Sequence, residues 1–600
     1  MTATDGRCVF RKVLVANRGE IAIRVFRTLR EMGIDSVAVY SEADRDALFV
    51  RYADEAYLIG PGPATESYLK IPAILEAATR SGAEAIHPGY GFLAENAGFA
   101  RASADAGVVF IGPPPEAIDA MGSKVAARAL MDAAGVPIVP GATEPVATVA
   151  EAKRIAKGIG YPVAVKAAAG GGGKGFRVAL AASQLPEAFE GARRESEKFF
   201  ADSVVYLERY LPQPRHVEIQ ILADAHGSCI WLGERDCSVQ RRHQKLIEET
   251  PSPVVSPGLR KRMGEAAVRA AKAVGYRSAG TIECLVSGED FYFLEMNTRI
   301  QVEHTVTEAV TGVDLVREQV RIAAGERLSM RQADVKPRGH AFECRINAED
   351  ASKRFLPAPA RITAYREPAG PGIRVDSGVV AGSDVAAIYD PMIAKLIVWD
   401  VDRETARRKM LRALDEYVVE GPATLIPFHR LLLTQQEFID GGACHDLLAQ
   451  LSETPTPIAP PDAKAPLVPG EAAPEAAPMA ERTFTAEVGG KRFDVRLSYE
   501  DGGAAAAARA ATRRPRSSAS HGGPSADGSA ADTLATPMQG TVLRVFVTQG
   551  QEVSEGDVVC VVEAMKMENE VAAHRGGVVK ELHVTEGQSV AADEVIAVIA

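Results

Sequence analysis

The chain has 600 residues, of which 46% are hydrophobic and 24% charged, with a net charge of −11 at pH 7. That length exceeds what one hydrophobic core supports, so several domains are expected, and the acidic balance of a soluble globular composition argues against a nucleic-acid-binding surface. No apolar run reaches the roughly eighteen residues of a membrane span, residues 1–12 lack the apolar core of a secretion signal, and the seven cysteines, none in a C-x-x-C pair, read as those of a reduced cytoplasmic protein without a zinc site.

Residues 13–16 form a short apolar run, residues 20–31 have helical periodicity, and residues 36–40 are again apolar. The pattern predicts a βαβ unit and a parallel sheet. The residues after the first strand are Asn17, Arg18, Gly19 and Glu20, without the G-x-G-x-x-G of a dinucleotide site. Further on, a strand over 162–166 ends in Lys166, a glycine run (170–173) with Lys174 follows, and 176–179 resumes a strand. Backbone N–H groups in such a loop can approach phosphates closely, although a glycine run alone also suits a plain turn. It is no Walker A loop, because Ala168 stands at the first glycine position and Gly175 follows the lysine.

Residues 281–286 and 291–296 read as two strands of a hairpin, which brings Glu283 within about one residue of facing Glu295. Two carboxylates that close need a cation between them. Mg²⁺ prefers such oxygens, and Asn297, on the same side as Glu295, can add a ligand. A solvated acidic hairpin is the alternative, but Arg299, Gln301, Glu303 and His304 crowd more polar groups beyond it than a surface loop needs.

Composition changes sharply past residue 450. Residues 454–479 hold eight prolines and suit a semi-rigid spacer. Residues 483–488 and 492–498 alternate around Gly489, Gly490 and Lys491 and read as a β-hairpin. Residues 501–531 read as a flexible linker, with a root-mean-square reach of roughly 30 Å. The last segment repeats itself: Gly540, Val542, Val547, Thr548, Gly550, Gln551, Val553 and Val558 recur 37 positions later as Gly577, Val579, Val584, Thr585, Gly587, Gln588, Val590 and Val595. Two such meanders can pack as a small sandwich with pseudo-two-fold symmetry. Glu563-Ala564-Met565-Lys566-Met567-Glu568 lies between the copies, which predicts an exposed tip for Lys566. Methionines flanking an exposed lysine make little packing sense unless something binds there.

Glu563-Ala564-Met565-Lys566-Met567 resembles the attachment motif of biotinyl carrier domains, and lacks the Asp-Lys-Ala usual in lipoyl domains. Over nearly all of residues 11–450 the chain resembles the ATP-grasp fold and, within it, the biotin carboxylases. The landmarks are Ala16-Asn17-Arg18-Gly19-Glu20-Ile21, His87-Pro88-Gly89-Tyr90-Gly91, Arg235-Asp236-Cys237-Ser238 and Arg345-Ile346-Asn347-Ala348-Glu349-Asp350. The resemblance implies an α/β ATP-grasp biotin carboxylase followed by an all-β, biotinyl/lipoyl-like flattened barrel. The implied divisions are a βαβ N-terminal domain (10–122), the ATP-grasp domain with its glycine-rich lid (123–330), a C-terminal carboxylase domain (338–450), the spacer (451–480), the hairpin (481–500), the linker (501–533) and the carrier (534–600).

Carried over position by position, the resemblance implies that Lys124, Lys166, Gly172, Gly173, Glu208, Arg209, Tyr210, Leu211, His216, Gln240, His243 and Leu285 form the ATP site. It implies Lys245 at the phosphate end, Glu283, Glu295 and Asn297 on Mg²⁺ or Mn²⁺, and Arg299, Gln301 and Val302 on bicarbonate. Glu303 would be the base that deprotonates bicarbonate, Arg345 the cation facing the biotin ureido oxygen, and Lys566 the carrier of covalent biotin. ATP would activate bicarbonate as carboxyphosphate, with charge neutralised by the metal, Lys166 and Lys245.

Because no sequence past residue 450 has room for a carboxyltransferase domain, the implied role is the α subunit of a two-component acyl-CoA carboxylase similar to the actinobacterial type. Its expected partners are a biotin protein ligase and a carboxyltransferase β subunit, within a homo-oligomeric core of a larger α/β complex and with neither nucleic acid nor membrane. The alternatives are the carboxylase/carrier subunit of another biotin-dependent enzyme such as a split pyruvate carboxylase, a passive carrier with an inactive ATP-grasp module, and a lipoyl-bearing acyltransferase subunit, for which an acyltransferase domain is missing.

Overall fold

The computed structural model describes residues 10–142, 145–167, 176–200, 204–241, 244–442, 447–448, 451, 479–488, 491–500, 533–536, 540–564, 567–590 and 594–600. The predicted βαβ unit is present as strand Lys12–Val15, helix Gly19–Glu31 and strand Asp35–Ser41, with Val13 opposite Ser36 in a parallel pair. Ile21, Ala22, Val25, Phe26 and Leu29 recur at helical spacing and are buried. Met32 caps the helix, and Gly33 follows with a left-handed φ of +71°. These strands sit in a five-stranded parallel sheet ordered Glu55–Gly60, Asp35–Ser41, Lys12–Val15, Ala85–His87, Val109–Phe110. At its carboxyl edge the Asn17 amide donates to the carbonyls of Pro88 and Tyr90, both at 2.8 Å, so two of the sequence landmarks touch. Gly89 lies between them at φ +63°, where a Cβ would come within 2.8 Å of Asn17 Nδ2.

An eight-stranded antiparallel sheet forms the centre. Its order is Asp290–Asn297, Ser278–Ser287, Arg215–Ala223, Cys229–Arg241, Gln244–Thr250, His340–Asn347, Met392–Asp400, Ile373–Ser377. The sheet runs without interruption across the division expected near residues 330–338, because Gln244–Thr250 pairs directly with His340–Asn347. Strand Arg215–Ala223 shows how the sheet sorts its faces. Val217, Ile219 and Ile221 pack with Leu259, Met263 and Ala267 of helix Pro257–Ala273, so the alternate residues His216, Glu218 and Gln220 face the other way. A separate three-stranded sheet, Phe176–Ala179, Val163–Ala167 and Val205–Arg209, packs with helices Val149–Ile159 and Leu185–Phe200.

The hairpin near residue 490 is present and longer than predicted, with Met479–Val488 paired along its length to Lys491–Glu500. In the carrier the repeat maps strand on strand. Gly540–Val545, Glu552–Val553 and Val558–Ala564 correspond to Gly577–Leu582, Ser589–Val590 and Val595–Ile599. The halves exchange contacts reciprocally: Gly587 N–H donates to Val542 O and Gly550 N–H to Val579 O, each at 2.7 Å. Repeated valines from both copies (Val542 with Val579, Val553 with Val590) fill one shared core. Among the described residues no helix is long and apolar enough to cross a membrane.

Because Val542 and Val579 are equivalent and fully buried, Val542→Ala and Val579→Ala should each destabilise the carrier by about 2 kcal/mol. Denaturant unfolding of the carrier transition in the full chain measures both. Loss at one position without comparable loss at the other would contradict the symmetry.

Candidate active site

On the polar face of the central sheet, neighbouring strands place charged residues in one row. Glu295 is directly opposite Glu283, Glu283 is opposite Glu218, and Glu218 is opposite Arg235. The fully buried Arg235 donates from Nε to Glu218 Oε1 (2.6 Å), from Nη1 to Gln220 Oε1 (2.6 Å) and from Nη2 to Gln301 Oε1 (2.8 Å). Lys245, from the next strand, reaches over the row. Its ammonium lies 2.7 Å from Glu218 Oε2, 3.0 Å from Glu283 Oε1 and 2.7 Å from Glu303 Oε1. Glu303 caps helix His304–Thr311, and its second oxygen accepts from Arg345 Nη2 at 2.9 Å. Arg345 in turn donates from Nε to Glu248 Oε1 at 2.7 Å.

This packing controls the charges. Burial alone would push Glu303 upward, but Lys245, Arg345 and Arg235 outweigh it and hold the carboxyl well below the usual glutamate range. Glu283 is likewise depressed against burial by Lys245 and by His216, whose Nε2 lies 2.8 Å from Glu283 Oε2. Burial would lower His216, but its bond to and the charge of Glu283 raise it instead.

The Glu283–Glu295 pair is expected to need a cation beside it, and an ammonium, that of Lys245, lies on Glu283. Of the set expected for a metal, Glu283 and Glu295 are cross-strand neighbours and Asn297 turns its amide N–H to Glu283 while its oxygen is held by Arg299. Asn297 Nδ2 donates to Glu283 Oε1 at 2.8 Å, and Glu295 and Asn297 line a cavity of about 210 Å³ with Glu95 and Thr298. Two carboxylates and an amide oxygen are the hard donors that suit Mg²⁺ or Mn²⁺. Beside them Gln301 Nε2 donates to Glu283 Oε1 (2.8 Å), and Arg299 bonds Asn297 Oδ1 (3.0 Å) and Glu95 Oε2 (2.9 Å). The Val302 carbonyl accepts from Lys395 Nζ at 2.8 Å.

Of the expected nucleotide residues, Lys166, Glu208 and Arg209 lie on strands of the small sheet, and His216, Gln240 and Leu285 lie on strands of the central one. Lys166 Nζ lies 2.6 Å from Glu208 Oε2, whose other oxygen accepts from Arg128 Nη1 at 3.0 Å. Residues 137–141 connect the two sheets, since Phe293 N–H donates to the Pro137 carbonyl (2.7 Å) and Gly141 bridges to Glu208. Arg209 is exposed, Leu211 is buried, and the Tyr210 ring lies 6.4 Å from that of Phe176. Gln240 is opposite Lys245, and Leu285 is opposite both His216 and Tyr292. Lys124 opens helix Lys124–Ala133. The expectations for Gly172, Gly173, His243 and Lys566 fall outside the described residues, although the strands flanking Lys566 pair Ala564 with Met567.

Models of the biotin carboxylase N-terminal domain, the carbamoyl-phosphate synthase L chain ATP-binding domain, the biotin carboxylase C-terminal domain and the biotin-requiring enzyme domain match residues 9–118, 123–331, 343–450 and 532–599. The biotin-dependent acyl-coenzyme A carboxylase alpha3 subunit of Mycobacterium leprae is 46% identical over 576 residues, 95% of each chain. The chain belongs to the biotin carboxylase family. A pyruvate carboxylase subunit of Methanothermobacter thermautotrophicus is 55% identical over 433 residues, 72% of this chain and 88% of that protein. A crystal structure of a biotin carboxylase–β,γ-ATP complex from Campylobacter jejuni matches with a TM-score of 0.68 at 48% identity, covering 74% of this chain and 99% of that one.

The biotin carboxylase core carries its own biotin carrier, so ATP-dependent carboxylation of biotin is the reaction of this chain, with covalent biotin, ATP and Mg²⁺ or Mn²⁺ as its requirements. Sequence reasoning missed Glu218, Glu248 and Glu343 and gave Arg235 no role. For Glu218 a signal was present: His216-Val217-Glu218-Ile219-Gln220-Ile221 alternates polar and apolar residues as a strand with one polar face does.

Lys245 joins three buried carboxylates, so Lys245→Met should cost about 3–5 kcal/mol of stability and abolish bicarbonate-dependent ATP cleavage. The depressed carboxylates contribute stability above the ordinary glutamate range (about pH 4.3) and lose it as pH falls toward their folded values. The gap between wild type and Lys245→Met in denaturant unfolding should therefore be full at neutral pH and narrow on acidification.

Proposed function

We propose that the chain is the α subunit of a two-component acyl-CoA carboxylase, carboxylating biotin on its own Lys566 and passing it to a carboxyltransferase β subunit. The observation that carries the catalytic part is Glu303 held between Lys245 and Arg345, at 2.7 and 2.9 Å. Bicarbonate is a poor electrophile and must be activated by phosphorylation. In this reading Arg299, Gln301 and the Val302 backbone bind it, and Glu303 takes its proton. Glu303 is an ionised but weak base while Lys245 and Arg345 lie on it. It strengthens once Lys245 turns to the phosphates and Arg345 to the acceptor oxygen. Lys166 and Lys245 neutralise the transferring phosphoryl group, and Lys124, Glu208 to Leu211, His216, Gln240, His243 and Leu285 hold the nucleotide with Gly172 and Gly173 over its phosphates. A divalent ion on Glu283, Glu295 and Asn297 adds charge neutralisation at the phosphates. Covalent biotin supplies the nitrogen that accepts the carboxyl group.

The relative from Mycobacterium leprae supports the acyl-CoA assignment, because it is similar across carboxylase and carrier alike, whereas the pyruvate carboxylase relative is similar over the carboxylase part. Cytoplasmic location, modification by a biotin protein ligase and a homo-oligomeric core within an α/β complex belong to the same reading. The hairpin Met479–Val488 with Lys491–Glu500 is the proposed docking element for the β subunit. Deleting it without loss of β-subunit binding would remove that part.

Protein expressed with an active biotin ligase should gain the mass of one biotin, and Lys566→Arg should not. Bicarbonate-dependent ATP cleavage in the presence of free biotin should fall about 10²-fold or more in Glu303→Gln. A partner captured through the biotin should then carboxylate acetyl- or propionyl-CoA. Transfer to pyruvate instead would replace the acyl-CoA assignment, and undiminished activity in Glu303→Gln would overturn the mechanism.

A further inference from the structure

Beneath Arg345 lies an arrangement that the roles above leave unused. Glu248 on strand Gln244–Thr250 and Glu343 on strand His340–Asn347 are directly opposed, and both are fully buried. Residues opposite each other in an antiparallel pair have side chains on one face within contact range, where like charges repel. Arg345 follows Glu343 on that face and places Nε and Nη2 on a single oxygen, Glu248 Oε1, at 2.7 and 2.5 Å. The remaining oxygens, Glu248 Oε2 and Glu343 Oε1, are buried without a hydrogen-bond partner among the described residues, while Glu343 Oε2 accepts from Thr305. One proton held between two opposed carboxyl groups would give both orphaned acceptors a partner.

We propose that Glu248 and Glu343 share a proton, making Glu248 a positioning residue that aims the Arg345 guanidinium without cancelling its charge. An ionised Glu248 would neutralise the guanidinium. A carboxyl group in its place still accepts the Arg345 fork, and leaves the positive charge for Glu303 and for the anionic oxygen that the biotin carboxylase reading, on which this inference rests, places there. The charged and titratable groups facing the pair are Arg345 on the strand of Glu343, Lys395 opposite Arg345 and Glu303 at the helix cap, while Cys344 lies on the other face of the sheet in the apolar core. Burial pushes both carboxyls up against the pull of Arg345 on Glu248 and of Lys395 on Glu343, Glu248 to about 8 and Glu343 to about 7. The proton belongs to the pair rather than to either residue.

The test uses the full biotinylated chain. Its infrared spectrum should contain a protonated-carboxyl band that fades as pH rises through about 8 and that is reduced in Glu248→Gln. Between the ordinary glutamate range and about pH 8 the folded chain holds a proton the unfolded chain has released, so stability should fall with rising pH, less steeply in Glu248→Gln. Glu248→Ala should lower kcat for biotin carboxylation about tenfold or more, with KM for ATP unchanged. Glu248→Gln, a permanent mimic of the protonated group, should recover most of that loss and lose the alkaline decline in rate. The proposal is overturned if the band and the stability slope are unchanged in Glu248→Gln, or if Glu248→Gln is as slow as Glu248→Ala. Wild-type protein without bicarbonate-dependent ATP cleavage would instead refute the enzymatic reading, and the infrared and stability measurements would still stand as tests of the shared proton.

Discussion

The carboxylase core depends on one ammonium group. Lys245 is held by Glu218, Glu283 and Glu303, which come from two strands and the cap of a helix. Burying three carboxylates without a counter-charge would cost several kcal/mol each, and Lys245 is the cation that touches all three, beside Arg235 on Glu218, His216 on Glu283 and Arg345 on Glu303. Its strand, Gln244–Thr250, is also the one that joins Cys229–Arg241 to His340–Asn347. The residue that balances the charge therefore sits on the strand that makes the sheet continuous. Stability and the placing of Glu303 beside Arg345 are consequences of the same pairing.

The central sheet separates two kinds of packing by simple alternation. Val217, Ile219 and Ile221 join an apolar core under helix Pro257–Ala273, and the residues between them carry the site. A one-residue slip of that strand would turn Glu218 into the core and Val217 into the row of charges, so register is fixed from both faces. The carrier solves the same problem without charge. Its two copies interlock through reciprocal backbone bonds and repeated valines.

What was legible in the sequence was local or repeated. The βαβ unit, the hairpin joining Glu283 to Glu295 and the 37-residue repeat are each carried by short-range pattern, and each is found in the structure. The candidate site was legible as a set of residue types at matching positions, but not as a network. Glu248 and Glu343 lie far apart in the chain, and only the pairing of their strands makes them neighbours. No periodicity predicts which strand a given strand will join. Family likeness places Lys245 at the phosphates, but its contacts with three carboxylates follow only from the register.

Those contacts show how the site holds its cations. Four cations proposed to meet an anion are already held by acidic side chains: Lys166 by Glu208, Lys245 by Glu218, Glu283 and Glu303, Arg299 by Glu95, and Arg345 by Glu303, with Glu248 accepting its fork. Isolated buried cations would be destabilising, and these self-neutralised pairs avoid that cost. An incoming anion then exchanges one partner for another rather than meeting a bare charge, so the net electrostatic gain of binding is small and favours geometry over affinity. The exchange releases carboxylates, and their fates differ by position. In the proposed mechanism Glu283 passes to a divalent ion shared with Glu295 and Asn297, whereas Glu303 gains basicity as Lys245 and Arg345 leave it. On that reading the network that keeps the site folded also frees its proposed base when the anionic substrates are in place.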